Sequence, residues 1–224
     1  VEDRVLVPAG YSATPLYRWG DAIGSAQGMP AFKSDAGNTA EEQALQAGMH
    51  HDGMHFFPLP FGSDNPVRGL LAINHEYTDD GLLHAGGMDP WNAAKVRKSQ
   101  AAHGVSVIEI ELRNGAWSVV RPSAYARRIT ATTPLRIAGP AAGHTAMRTA
   151  ADPASTTVLG TINNCAHGNT PWNTYTRPGL PPTPIALPGD EALRAATRPL
   201  ETGELYRLCR ETESGRWFVE GCYD

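Results

Sequence analysis

The sequence has no apolar run of membrane-spanning length. It has little lysine: three of nineteen basic residues, the other sixteen being arginine. It has no excess of positive charge. The net charge of −4 argues against nucleic acid as a main partner. Cysteine is also scarce, and its odd count of three leaves at least one thiol unpaired within the chain. The sequence opens at Val1 without a leader, so its cellular address must be inferred otherwise.

Turn formers are abundant. Gly 23 and Pro 18 in 224 residues predict many short strands and few long helices. Short helices are expected at 39–46, capped by Asn38 or Thr39, and at 91–99, opened by Asp89-Pro90. Phe56 to Leu59 and Leu70 to Asn74 read as strands. The clearest hairpin runs from Val105 to Leu112, turns at Arg113-Asn114-Gly115-Ala116, and returns through Trp117 to Arg121. Tyr125 to Thr133 reads as a further extended stretch. A second hairpin, Glu204 to Cys209 and Arg216 to Val219, overlays the first at Gly115/Gly215, Trp117/Trp217 and Val119/Val219. Such repeats belong to radial β architectures. The expected class is all-β, a β-propeller or a fragment of one with long loop insertions. Residues 1–175 form the main region. Residues 176–224 form a Pro-rich crossing and a terminal hairpin packed on it, where Cys209 and Cys222 could bridge.

Chemistry-bearing residues gather before position 170, where all eight histidines lie. Asn163-Asn164-Cys165-Ala166-His167-Gly168 offers too few apolar side chains for a strand interior. It reads as a loop after the strand Val158 to Ile162, presenting a thiol as metal ligand or nucleophile. The plain alternative is a small buried thiol without chemistry. Asn74-His75-Glu76-Tyr77 closes an apolar strand and places donors and acceptors at a sheet rim. His50-His51-Asp52-Gly53-Met54-His55 is the densest run of potential ligands, with Gly53 expected to let the chain turn. Arg127-Arg128 could contact an anion, although strand alternation sends only one inward. Three motifs fail. His75-Glu76 with Asp79 lacks the second His of a zinc protease, Gly139 to Thr145 lacks the phosphate-loop Lys, and Gly104 to Ile108 lacks the closing Gly of a nucleophile elbow.

Several runs together resemble the PhoX-type alkaline phosphatases. They are Tyr17 to Asp21, Gly48 to Leu59, Gly69 to Tyr77, Ala102 to Glu109, Arg127 to Thr130, Gly139 to His144 and Gly160 to Cys165. The resemblance implies an exported β-propeller enzyme, periplasmic or secreted, that releases phosphate from small monoesters. It implies ferric iron and calcium as cofactors, with a cysteine thiolate on iron. By resemblance Cys165, Glu76 and Asp52 are metal ligands. Cys165, Glu76 and Asn164 are the expected catalytic set, and Arg128 and His75 the expected substrate contacts. Where relatives continue with Leu-Thr-Cys-Glu-Glu-Asn, this chain reads Thr176-Arg177-Pro178, and the paired glutamates are missing. That departure implies an incomplete ligand set and weak or absent activity. Two other classes stay open. One is a non-catalytic propeller module that self-associates through exposed strand edges. The other is a mononuclear zinc hydrolase built on His50, His51, His55 or His75.

Overall fold

A computed structural model describes residues 5–139, 141–170 and 174–176, with the backbone of 205–210 and 217–222. The backbone is organised by one antiparallel sheet. Its strands are β1 (His51–Pro58), β2 (Arg68–His75), β3 (Gly104–Arg113), β4 (Ala116–Val119) and β5 (Arg127–Ile129), with β3 flanked by both β4 and β5 at different points along its length. Two-residue and three-residue strands pair separately: β6 (Pro134–Arg136) with β7 (Thr157–Leu159), and β8 (Gly168–Asn169) with β9 (Tyr175–Thr176). The regular structure among the described residues is thus mostly strand, and β1 to β4 form the antiparallel meander from which propeller blades are built.

The β3–β4 turn falls on Asn114 (φ 52°) and Gly115 (φ 77°), both left-handed, as the Asn-Gly pair predicts. The second hairpin also forms as backbone, with β10 (Leu205–Arg210) against β11 (Trp217–Cys222). Its register sets Cys209 opposite Phe218 and Cys222 opposite Leu205. The cysteine side chains there, and the Pro-rich crossing, lie outside the described residues.

Three helices interrupt the strands. Helix α1 (Ala40–Gln43) opens with a capping box in which Thr39 and Glu42 satisfy each other's backbone N–H. Helix α2 (Asp80–Leu83) is capped by Asp79. Helix α3 (Ala93–Ala102) starts at an Asn92 cap rather than at Asp89-Pro90. The asparagine oxygen takes the Lys95 N–H at 3.1 Å, a bond that Pro90 has no side-chain acceptor to make. None of the described helices is long and apolar enough to cross a membrane.

Alternation along β2 and β3 divides the core between two sheet faces. On one face Leu71 sits opposite Ile108 and Ile73 opposite Ser106. This face packs Ile73, Ile108 and Ile110 against Tyr17, Ile23, Ala47 and Ala126. On the other face Leu70 and Ala72 pack with Phe57 and Leu59, and Val107 and Tyr175 close over them. The segment 16–47 covers the first face, and Cys165, Ala166 and Tyr175 approach the second. A sheet covered on both faces explains the near-continuous apolar run of β2.

Candidate metal centre

The rim at the C-terminal end of β2 gathers the acidic and sulfur ligands. One donor atom each from Asp52, Glu76 and Cys165 lies within 4.8 Å of the other two. The three residues are 24 and 89 positions apart in sequence, so only folding brings them together.

Each arrives by a separate local device. His51 pairs with His75, but Met54 pairs with Ile73, so β1 carries one extra residue between them. This bulge sets Asp52 and Gly53 against the single Asn74 and re-aims the Asp52 side chain. Glu76 follows the last residue of β2, and its N–H donates to the His50 carbonyl at 3.0 Å, which keeps it beside the start of β1. Cys165 lies on a loop, as the sequence predicts, but the strand before it is shorter than expected. Strand β7 stops at Leu159, and the chain reverses at Asn163, whose φ of 52° is left-handed. Asn164 then turns inward and Cys165 outward.

The Cys165 loop lies directly on the β1 bulge. The Gly53 N–H donates to the Cys165 carbonyl at 3.0 Å. A Cβ at Gly53 would stand 2.8 Å from that oxygen and 2.9 Å from the Ala166 carbonyl carbon and the His167 nitrogen. Gly53 is therefore required for close backbone approach, not for the turn expected from the sequence. The Asn74 amide donates to the carbonyls of Cys165 at 3.0 Å and Ala166 at 2.9 Å.

The electrostatics are those of a cation site. The Asp52 carboxylate, hydrogen-bonded to the Cys165 thiol, and then the charges of Asp52 and Glu76 raise that thiol above its ordinary value. No ion pair engages Asp52 or Glu76 among the described residues. Two carboxylates and a thiol that crowd one another without a balancing positive group fit a metal ion, hard oxygen donors and a soft sulfur together.

The remaining candidates sit elsewhere. His75 and Arg128, expected at substrate, occupy the opposite sheet face. His75 is fully buried and its Nε2 lies 2.6 Å from Ser106 Oγ, which in turn lies 3.1 Å from the Tyr17 hydroxyl. Arg128 pairs across from Ser106, and its Nη2 donates to the carbonyls of Ala101 at 2.7 Å and His103 at 2.9 Å. Strand alternation is the cause, since His75 and Glu76 are neighbours and must point to opposite sides. Asn164, expected in the catalytic set, is wholly buried, donates to the Gly104 carbonyl at 2.9 Å and accepts from the Thr161 hydroxyl. It anchors the loop from beneath. The four histidines proposed for a zinc site do not meet at one place. His51 and His75 pack in the core, His50 stands against Tyr77, and His55 lies among Phe57 and His167. No three histidines converge among the described residues.

One neighbour of the site, Tyr175, is missing from the sequence reading. Tyr175 stacks on His167 with ring centroids 5.6 Å apart, and its hydroxyl reaches Gly53 and Asn74. Its position in the aromatic slot after Thr-Pro-Trp was a usable signal. Gly53 was noticed for the wrong property.

Comparison with known proteins bears on the family and the fold. The family model described as alkaline phosphatase PhoX matches residues 1–177. A solved structure titled Pseudomonas fluorescens PhoX in complex with vanadate, a transition state analogue, matches with a TM-score of 0.70 and 45% identity, over 77% of this chain and 29% of that one. This chain thus spans less than a third of that relative's length. No curated protein matches the chain. With ordered sequence blocks, a matched family model over most of its length and a superimposable backbone, the chain belongs to the PhoX alkaline phosphatase family.

Proposed function

We propose that this chain carries part of the metal site of a phosphomonoester hydrolase, with Asp52, Glu76 and Cys165 as its ligands. The convergence of two carboxyl groups and a thiol within 4.8 Å, with no cation opposite them among the described residues, carries the reading. Family membership supplies the reaction class, and the vanadate bound to the Pseudomonas relative mimics phosphoryl transfer in that protein. Ferric iron and calcium fit this donor set, thiolate for the transition metal and carboxylates for calcium. When bound, such a group neutralises phosphoryl oxygens and supplies an oxygen nucleophile near neutral pH.

The chain's own residues do the rest. Asp52 and Glu76 hold negative charge at one rim, fixed by the β1 bulge and by the Glu76 N–H on His50. Cys165 faces outward beside them. The paired glutamates of relatives do not appear after Thr176-Arg177-Pro178 in this chain, so its own ligand set is partial. The substrate class is a small phosphate monoester, and the setting is the periplasm or the exterior.

Reconstitution with ferric iron and calcium, followed by elemental analysis and a phosphate-monoester assay, tests the proposal. Bound iron and calcium that are lost together in Cys165→Ser and Glu76→Gln are expected, with turnover low. Metal-free protein after loading, with no turnover, would sink it.

A further inference from the structure

We infer that Asn74 is a positioning residue that sets the direction of the Cys165 thiol, with Tyr175 as its latch. The metal arm of the argument rests on the proposed function; the geometric arm does not. Asn74 is fully buried and stands on the sheet face that carries Leu70 and Ala72, two residues before Glu76. Its Nδ2 donates both hydrogens to the Cys165 loop, at 3.0 Å to the Cys165 carbonyl and 2.9 Å to the Ala166 carbonyl. The Cys165 carbonyl also takes the Gly53 N–H, so two donors fix the backbone of the residue that bears the sulfur.

The two donors come from the neighbours of the two acids. Gly53 follows Asp52, and Asn74 precedes Glu76 by one intervening residue. The Gly53 N–H therefore ties the sulfur-bearing loop to β1, and the Asn74 amide ties it to β2. Tyr175 completes the tie from outside. Its hydroxyl lies 2.8 Å from the Gly53 carbonyl and 3.1 Å from Asn74 Oδ1, and it donates its hydrogen toward them. That contact holds the Asn74 amide with its nitrogen toward the loop, because the oxygen is the end that can accept. Three chain segments far apart in sequence meet at this one side chain. Groups behind a metal ligand that fix its orientation govern affinity without touching the ion.

Two measurements on the intact chain test the inference. The first follows amide exchange of Gly53 in metal-free protein by NMR. The second titrates cobalt(II) and follows the thiolate-to-cobalt charge-transfer band. In Asn74→Leu, similar in size but without donors, Gly53 exchange should accelerate by about tenfold or more while amides between β2 and β3 stay protected, and cobalt affinity should fall by about tenfold or more. Tyr175→Phe should shift both in the same direction by less. Gly53 exchange within about twofold of wild type in Asn74→Leu overturns the inference, whatever cobalt does. If Asn74→Leu loses protection throughout the sheet, Tyr175→Phe decides. Faster Gly53 exchange with the sheet intact supports the inference, and unchanged exchange overturns it. A wild-type chain without the cobalt band refutes the metal reading, and the exchange comparison still decides Asn74.

Discussion

His51 and His75 face each other across the β1–β2 pair with ring centroids 4.7 Å apart, on the sheet face opposite the three metal-ligand candidates. Each is the chain neighbour of an acid, His51 of Asp52 and His75 of Glu76. The imidazoles pack inward against Tyr17, stacked on His51 at 5.5 Å, so that the acids turn toward the Cys165 loop. Burial holds both imidazoles below their ordinary value, which keeps them neutral in the core. The core side of this rim is thus aromatic around the buried Arg128, and the other side carries the two carboxyl groups.

The close approach of Gly53 to the Cys165 loop gives the first prediction. Gly53→Ala places a Cβ against backbone atoms at 2.8–2.9 Å, and backbone gives way less easily than a side-chain tip. The variant should lose about 1–3 kcal/mol of stability from overpacking. Its metal affinity should fall by about tenfold or more, because the loop that carries the sulfur is pushed off β1. Urea denaturation and a metal titration check the two effects separately.

The capping box of α1 gives a prediction in pH. Glu42 bonds Lys33 Nζ at 2.9 and 3.0 Å and accepts the Thr39 N–H at 3.0 Å. The Lys33 bond first, then the Thr39 N–H, hold its carboxyl down to about 2, from an ordinary value of 4.5. The folded value is the lower one, so the unfolded chain binds the proton more readily. The stabilisation is present above the unfolded value and is lost as pH falls from 4.5 toward 2. In a melting-temperature series, Glu42→Gln should lie below wild type at neutral pH, and the gap should close across that window. A constant gap would show that the carboxylate is not the cause.

The centre of the main sheet gives a third. Ile108 is completely buried between Leu71 on β2 and the 16–47 segment. Ile108→Ala should cost about 2–5 kcal/mol through lost contact and the cavity left behind. Chemical denaturation measures it. A cost below about 1 kcal/mol would mean that the covering segment collapses into the space.

Parts of this molecule were legible before any coordinates. The Asn114-Gly115 turn was, because a two-residue turn with both φ positive has few chemical solutions. So was the cap of α1, which the sequence narrows to Asn38 or Thr39 and the structure places at Thr39. The extended reading of Tyr125 to Thr133 was too long: β5 keeps only Arg127–Ile129, and Thr130 then turns back to bond Thr133. The strand expected through Ile162 ends at Leu159, since Gly160 lies so close to the Thr130 carbonyl that no side chain fits there. Arg128 and His75 look like substrate contacts when read as letters. Their place on the inner face follows from register, which depends on partners up to about 30 residues away along the chain.

The sequence by itself determined the donor chemistry, the turn formers and the order of the family blocks, because side-chain type and local backbone preference are properties of single residues and short runs. The tertiary structure alone decided that Asp52, Glu76 and Cys165 share one rim while His51, His75 and Arg128 turn away. That division comes from an extra residue in β1, the pairing of β2 with β3, and the Asn74 amide clasping a loop about ninety residues distant, all of them relations between segments that no local pattern encodes.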